Sequence, residues 1–186
     1  MQQLSATNVF KEQEDSLEKY DFTYIFETYY KKVYNYIYYR VDCSYTAEDL
    51  TSQVFEKVLL KINSYLKSRA PIEVWIITIA KNIVNDYFRK QKRNKLFSFD
   101  AIKEFISKGK SPEYIVVKKE NSDRILKSLE ILNKRERNIV AMKFGANLKN
   151  KEIAEMLKIT ESNVGVILYR AMKKLKSQLE REDKCE

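Results

Sequence analysis

Apolar residues recur along the first half of the chain at the three- and four-residue spacing that is typical of amphipathic helices. One run covers residues 22–37, a second covers residues 46–62, and a third follows a polar break and covers residues 72–87. Ser44 or Thr46 is the expected N-cap of the second run, since a hydroxyl can accept a hydrogen bond from the first helical turn. The pattern predicts three long helices, each with one face in a core.

The helical spacing fades between about residues 94 and 112 and then returns. We expect one helix over residues 113–132 and another over residues 134–144. Asn133 and Glu136 stand in the register of a capping box at the start of the second. The pattern therefore predicts an all-α fold, with two small helical domains joined by a flexible linker.

Residues 150–176 predict a helix-turn-helix. Their helical spacing is interrupted once, between Leu157 and Thr160, and the Thr160 hydroxyl can cap the helix that follows. Ala154 is small enough to let the two helices approach closely, although a plain helical hairpin has the same spacing. Lys158 stands where a left-handed backbone is expected, which costs a residue with a Cβ about 1–2 kcal/mol. The expected limits are an arm at 1–20, a first domain at 21–93, a linker at 94–112, a helix-turn-helix domain at 113–180 and a tail at 181–186.

The composition favours a polyanionic partner. Lys and Arg number 35 against 26 Asp and Glu, which gives a formal charge of +9. Six of these cations lie within residues 81–95, where Asp86 is the single acid. Nucleic acid is therefore the first candidate. A membrane is less favoured, because no run reaches about 18 uncharged apolar residues. The N-terminus is too polar for a signal peptide, so we expect a cytoplasmic protein.

Neither a metal site nor an enzyme is favoured. The chain has no His, and Cys43 and Cys185 are far apart, so we expect no metal and no cofactor. An enzyme that uses Glu48 and Asp49 as paired carboxylates is an alternative. Successive residues of a helix point about 100° apart, however, so these two do not naturally face one substrate.

Three motifs stand in order along the chain. TAEDLTSQVF covers residues 46–55, VWIITIAKNIVNDYFRKQKR covers residues 74–93, and the helix-turn-helix is preceded by LNKRERNIV. Together they resemble the small two-domain sigma factors of bacterial RNA polymerase, which are the extracytoplasmic-function (ECF) group of the sigma-70 family or its close relatives. The resemblance implies an alternative sigma factor that binds core RNA polymerase and directs promoter recognition. Its partners would be core polymerase and promoter DNA, with an anti-sigma factor as a further candidate.

The resemblance also implies roles for particular residues. Core polymerase would be bound by Glu48, Asp49, Leu50 and Phe55, with Gln53 in place of the family's acid. A loop that captures a flipped base and the helix after it would bind the minus-10 element, through Tyr65, Lys67, Ser68, Arg69, Lys81, Asn82, Asp86, Arg89 and Lys90. The second helix of the helix-turn-helix would read the minus-35 duplex, through Ser162, Asn163, Val166, Tyr169, Arg170 and Lys173.

This recognition helix departs from the family pattern at residues 163–167, where two expected cations are absent. Val166 could instead contact a thymine methyl group. Gly165 costs the helix about 1 kcal/mol relative to Ala, unless it permits close backbone approach to DNA. The alternative function is a stand-alone helix-turn-helix regulator. Such a protein would bind duplex DNA on its own as a symmetric dimer, with half-sites about one helical turn apart.

Overall fold

The computed structural model describes residues 21–97 and 126–182. The first group of helices consists of α1 (Phe22–Val41), α2 (Ser44–Lys61), a 3-10 turn (Ile62–Ser64) and α3 (Ile72–Phe97). The second group begins with helical residues 126–129 and continues with α4 (Lys134–Val140), a π-helical turn (Ala141–Gly145), α5 (Asn150–Leu157) and α6 (Glu161–Glu182). These described residues include no β-strand, which confirms the predicted all-α class.

Several predicted segments lie outside the described residues. They are the arm at 1–20, the linker from residue 98 onward, the first part of the helix at 113–132, and the end of the tail with Cys185. Helix α3 continues to Phe97, beyond the limit of 93 expected for the first domain. None of the described helices is long and apolar enough to cross a membrane.

The predicted N-terminal cap is present at α4 but not at α2. The capping box at α4 is confirmed, because Asn133 Oδ1 accepts from the backbone N–H of Glu136 at 2.9 Å and Glu136 Oε2 accepts from that of Asn133 at 3.0 Å. The predicted cap of α2 is wrong. Cys43 has extended backbone angles (φ −150, ψ 121) and is the N-cap, so Ser44 is already helical and Thr46 lies within the first turn.

Each group packs its helices around buried apolar side chains, which in α3 include Val74 and Ile77 beyond the predicted face. The largest fully buried apolar residues of the first group include Ile25, Val33, Ile37, Val54, Ile76 and Ile77. Those of the second group include Leu129, Ile139, Met142, Leu148 and Ile153. Each such side chain stabilises the fold by about 1.5–3 kcal/mol. These cores hold the polar faces of α2, α3 and α6 outward.

The two groups also touch, because α1 packs against the π-helical turn of the second group. Tyr36, which the spacing assigned to the core of the first group, is fully buried at this contact. Its hydroxyl donates to Asn138 Oδ1 at 3.0 Å. The burial of Tyr36 therefore depends on the second group as well as the first.

Candidate nucleic-acid interface

The N-terminal part of α2 presents two exposed carboxylates, Glu48 and Asp49. Asp49 Oδ2 accepts a hydrogen bond from Gln53 Nε2 at 3.0 Å, one turn further along the same helix. Leu50 and Phe55 differ from these acids, because only 4% and 3% of their surfaces are exposed. The acids can meet a partner directly, whereas Leu50 and Phe55 support the helix mainly from inside.

The contact of Phe55 with polymerase stays a prediction, while in this structure the side chain is buried. Its ring packs edge-on against Phe26, with centroids 4.9 Å apart and planes at 64°. It also lies 6.1 Å from the ring of Tyr30 in a stacked orientation. Aromatic pairs at these distances stabilise helix packing, here the packing of α1 against α2. Phe55 therefore positions α2 and does not form its outer surface.

A groove of about 780 Å³ runs between α2 and the C-terminal half of α3. The α2 side is formed by Asp49, Leu50, Gln53 and Lys57. The α3 side is formed by Ile83, Asp86, Tyr87, Arg89, Lys90, Lys92 and Arg93. Residues predicted for polymerase binding and residues predicted for DNA binding thus share one groove. Lys57, Lys92 and Arg93 were missed, and only the last two carried a signal, the cation excess in residues 81–95.

Tyr65 has a structural role in the loop between the 3-10 turn and α3. Its ring packs 5.2 Å from that of Trp75, and its hydroxyl donates to Ala70 O at 2.8 Å. The contact of Tyr65 with the minus-10 element stays a prediction, while in this structure the side chain packs within the loop. Lys67, Ser68 and Arg69 lie exposed at its tip, where a DNA strand could reach them.

The predicted strand-binding residues of α3 fall into two groups. Asn82, Asp86, Arg89 and Lys90 are exposed, and Arg89 Nη1 donates to Asp86 Oδ1 at 3.0 Å. Lys81 is half-buried, and its Nζ donates to Met156 O of the second group at 3.3 Å. In this conformation the backbone of α5 engages a cation that the sequence assigned to DNA.

The predicted helix-turn-helix is present. Lys158 adopts the expected left-handed conformation (φ 54, ψ 48), and Ile159 N donates to Ala154 O at 3.0 Å across the turn. Thr160 Oγ1 accepts from Asn163 N at 3.2 Å, which confirms its role as cap. Val164, fully buried, fills the angle between the helices. The turn therefore fixes how α6 projects from the domain.

One face of α6 gathers every residue predicted for the minus-35 element, and all of them are exposed: Ser162, Asn163, Val166, Tyr169, Arg170 and Lys173. Val166 and Tyr169 are 46% and 71% exposed, so their apolar surfaces are accessible on this face. Met172, at 44%, was not predicted. The face thus offers apolar, polar and cationic contacts together.

Two other cations of α6, Lys174 and Lys176, are engaged within the protein. Lys174 Nζ donates to Glu136 Oε1 at 2.7 Å, and Lys176 lies 3.6 Å from Glu180 one turn along the helix. Burial alone would raise the pKa of Glu136, but hydrogen bonds from Lys174 and Asn133 outweigh it and hold that pKa below its ordinary value. Glu136 therefore ties α4 to α6 as a carboxylate.

In the described part of the chain, no three His, Cys, Asp or Glu side chains are grouped so that they could hold a metal ion. The arrangement offers exposed carboxylates at α2, exposed cations along α3 and a mixed apolar, polar and cationic face at α6.

Two sequence profiles cover most of the described residues. Residues 25–94 match the profile described as Sigma-70 region 2, and residues 122–175 match that described as Sigma-70, region 4. The chain belongs to the sigma-70 family. The first match contains α2 and α3 with their groove, and the second contains the helix-turn-helix, so we call these domains region 2 and region 4.

Relatives of the ECF group resemble almost the whole chain. The ECF RNA polymerase sigma factor SigX of Bacillus subtilis is 27% identical, over 86% of this chain and 84% of its own. BldN of Streptomyces coelicolor, also named an ECF sigma factor, is 29% identical over 81% of this chain. The match covers 57% of the length of BldN. In sequence the chain is thus similar to sigma factors of the ECF group.

Solved structures share the fold at lower identity. The sigma factor RpoE of Bartonella quintana, in complex with the anti-sigma factor NepR, has a TM-score of 0.70 at 17% identity and covers 87% of this chain and 98% of its own. CnrH, in complex with the cytosolic domain of CnrY, has a TM-score of 0.62 at 14% identity and covers 86% and 88%.

Proposed function

We propose that this chain, an alternative sigma factor, binds core RNA polymerase through the acidic part of α2 and reads promoters through α3 and α6. The observation that carries the proposal is the exposure of three predicted faces on two separate domains. A stand-alone regulator would need only the α6 face, and nothing in the first domain favours that alternative. We expect the protein to act without catalysis of its own and to work in the cytoplasm, where core polymerase is found.

In region 2, Glu48 and Asp49 would meet cations on polymerase, with Leu50 at the floor of the adjoining groove. The cations of the opposite wall, Arg89, Lys90 and their neighbours, would follow the backbone of the opened strand. Each unstacked base held by a protein gains about 1–3 kcal/mol, while extruding it from the duplex costs a few kcal/mol. These terms are comparable, so opening should need the further contacts that bound polymerase supplies.

In region 4, Arg170 and Lys173 would contact phosphates or base edges of the minus-35 duplex. Val166 and Tyr169 would add apolar contacts in the same groove of the DNA. The named structural neighbours were solved with an anti-sigma factor or with a partner's cytosolic domain. On that likeness of fold, we propose that this chain also has an anti-sigma partner.

Run-off transcription with added core polymerase tests the function, and charge reversal tests the docking face. Asp49→Lys should weaken core binding strongly, because a like charge placed across an interface is unfavourable. A penalty of about 2 kcal/mol would weaken binding about 30-fold. Glu27→Lys is the matched control, since Glu27 is an exposed acid on α1 outside the groove.

Leu50→Ala should also reduce binding, but through a cavity that destabilises region 2 by about 2–5 kcal/mol. Circular dichroism separates the two causes, because Asp49→Lys should leave the melting curve unchanged. The docking assignment is wrong if Asp49→Lys binds core as tightly as Glu27→Lys does. If the purified protein bound an upstream duplex specifically as a dimer, without polymerase, that result would support the stand-alone regulator instead.

A further inference from the structure

The end of α2 and the loop that follows it expose three leucine side chains. Leu59 and Leu60, the last apolar residues of the helix, are 53% and 75% exposed. Leu66, in the loop, is 49% exposed. Single exposed leucines are ordinary, but a cluster of large apolar side chains at one end of a domain is typical of an interaction surface. The contacts proposed above with polymerase and DNA use none of the three.

The same stretch is strongly basic. Residues 57–72 contain no Asp or Glu and four cations, which are Lys57, Lys61, Lys67 and Arg69. Among the described residues, none of these four cations forms an ion pair. Glu73, the next acid along the chain, is engaged by Lys32 of α1 at 2.7 Å. Unpaired cations beside exposed leucines fit a partner that is both anionic and apolar.

The loop that carries Leu66 is held in place by contacts of its own. Arg69 N donates to Leu66 O at 3.0 Å, which closes a turn. The neighbouring Tyr65 is anchored by its ring, which packs 5.2 Å from that of Trp75. The exposure of Leu66 is therefore a property of an ordered turn, in which it lies next to the cation Lys67.

A lipid surface accounts for the leucines better than a nucleic acid or a protein helix does. A single strand is bound by cations and by rings on which its bases stack, and leucine has no ring. A helix needs a groove, and the groove between α2 and α3 is lined by Lys57 but by none of the three leucines. Segments that bind membrane surfaces combine Lys and Arg with apolar side chains such as Leu, which enter the boundary between headgroups and acyl chains.

We propose that the end of α2 and its loop bind the surface of an anionic lipid bilayer. Leu60 and Leu66 enter the headgroup boundary, while Lys61 and Lys67 attract the anionic headgroups. A surface-bound segment does not span the bilayer, so no helix of spanning length is needed. Lys67 and Arg69 are also predicted to bind the minus-10 element, so lipid and opened strand compete for the loop. That competition rests on the proposed function, but the lipid binding does not.

Co-sedimentation of the purified full chain with lipid vesicles tests the proposal. Wild type should sediment with vesicles of phosphatidylcholine and phosphatidylglycerol, and it should stay in solution with phosphatidylcholine alone. Leu60→Ser should lower the partition coefficient about tenfold, because an apolar side chain no longer leaves water. Lys61→Glu should lower it about 25-fold, at about fivefold for each of two units of charge.

Two variants that make the same kinds of change elsewhere are the controls. Tyr45→Ser removes an exposed ring at the other end of α2, and Lys31→Glu reverses an exposed charge on α1. Both should sediment with the anionic vesicles much as wild type does. Circular dichroism melts should be unchanged in Leu60→Ser and Lys61→Glu, because both side chains are exposed.

Three results would overturn the lipid surface. The first is wild-type protein that stays in solution with the anionic vesicles. The second is equal loss of binding in Lys61→Glu and Lys31→Glu, which would indicate attraction by net charge alone. The third is unchanged vesicle binding in Leu60→Ser, especially if this variant instead weakens binding of a single-stranded oligonucleotide, since the leucines would then serve DNA.

Failure of the proposed function would look different. In that case the protein would support no run-off transcription with core polymerase, while the vesicle binding and its loss in Leu60→Ser would persist. If both proposals hold, anionic vesicles should inhibit run-off transcription by wild type and inhibit it less with Leu60→Ser.

Discussion

Replacing Glu136 by Gln should destabilise region 4 without removing the N-cap of α4. Only 8% of Glu136 is exposed, and Lys174 Nζ donates to its two oxygens at 2.7 and 2.9 Å. The same carboxylate accepts from Asn133 N at 3.0 Å. Gln retains a carbonyl oxygen for this cap but loses the charge that binds Lys174.

The expected loss follows from the exposure of the two partners. A hydrogen bond to a charged group contributes about 1.5–3 kcal/mol when it is well shielded. The Lys174 side chain is 46% exposed. Solvent screening should therefore reduce the loss to about 1–2 kcal/mol. At about 4–8 °C per kcal/mol for a small domain, the melting temperature should fall by about 5–15 °C. Glu136→Ala should cost about 1 kcal/mol more, because the cap is lost too.

The pH dependence has a defined sign. The hydrogen bonds hold the pKa of Glu136 below its ordinary value of 4.5, although burial alone would raise it. A pKa that is lower in the folded state means that the carboxylate stabilises region 4 above the unfolded value. That stabilisation is lost as the pH falls through the folded value. Wild type and Glu136→Gln should therefore differ most near neutral pH and converge as the pH falls below 4.5.

Urea unfolding followed by circular dichroism measures the effect, and a double-mutant cycle with Lys174→Met isolates the pair. Glu180→Gln is the matched control, since Glu180 pairs with Lys176 but both side chains are more than half exposed. The control should change stability by less than about 0.5 kcal/mol. A coupling between Glu136 and Lys174 below about 0.3 kcal/mol at neutral pH, or a loss that does not depend on pH, would refute this reasoning.

Three other predictions concern DNA. Asn82→Ala should retain core binding but lose permanganate-reactive thymines on linear duplex. It should spare transcription from a template with a preformed bubble. Equal loss on both templates would instead indicate that Asn82 serves folding or docking. Replacing Arg170 and Lys173 by Ala should weaken the footprint over the upstream element, and each lost phosphate contact should reduce the salt slope by about one. Gly165→Ala should stabilise α6 by about 1 kcal/mol in thermal melts and weaken upstream binding if the backbone approaches DNA there.

The local features of the fold could be predicted because they depend on neighbours in sequence. The Asn133 capping box and the Thr160 cap each involve residues within one helical turn, and their hydrogen bonds are present at 2.9 and 3.2 Å. The left-handed backbone at Lys158 followed from the break in helical spacing, even without a glycine. These signals do not depend on what the rest of the chain does.

Whether a predicted site residue is buried or exposed was less predictable than these local features. A motif places Asp49, Leu50 and Phe55 together, but their exposure depends on how α1 and α3 pack against α2. Phe55 is covered by rings from α1, and Tyr65 by Trp75 and the Ala70 carbonyl, neither of which a motif specifies. The ion pair of Glu136 with Lys174 joins residues on different helices, so its existence depends on the folded domain.

The structural roles of the two glycines in the second domain could not be predicted from the sequence pattern. Both Gly145 and Gly165 interrupt helical stretches, and each alone would be expected to weaken its helix. At Gly145 the close approach of Tyr36 requires the missing side chain, whereas at Gly165 nothing within the described residues does. The first glycine is explained by a contact inside the chain. For the second, no contact within the described residues accounts for the missing side chain, and we propose that DNA approaches the α6 backbone there. The same change to Ala at the two positions should therefore alter the packing of the π-helical turn on α1 in one case and promoter binding in the other.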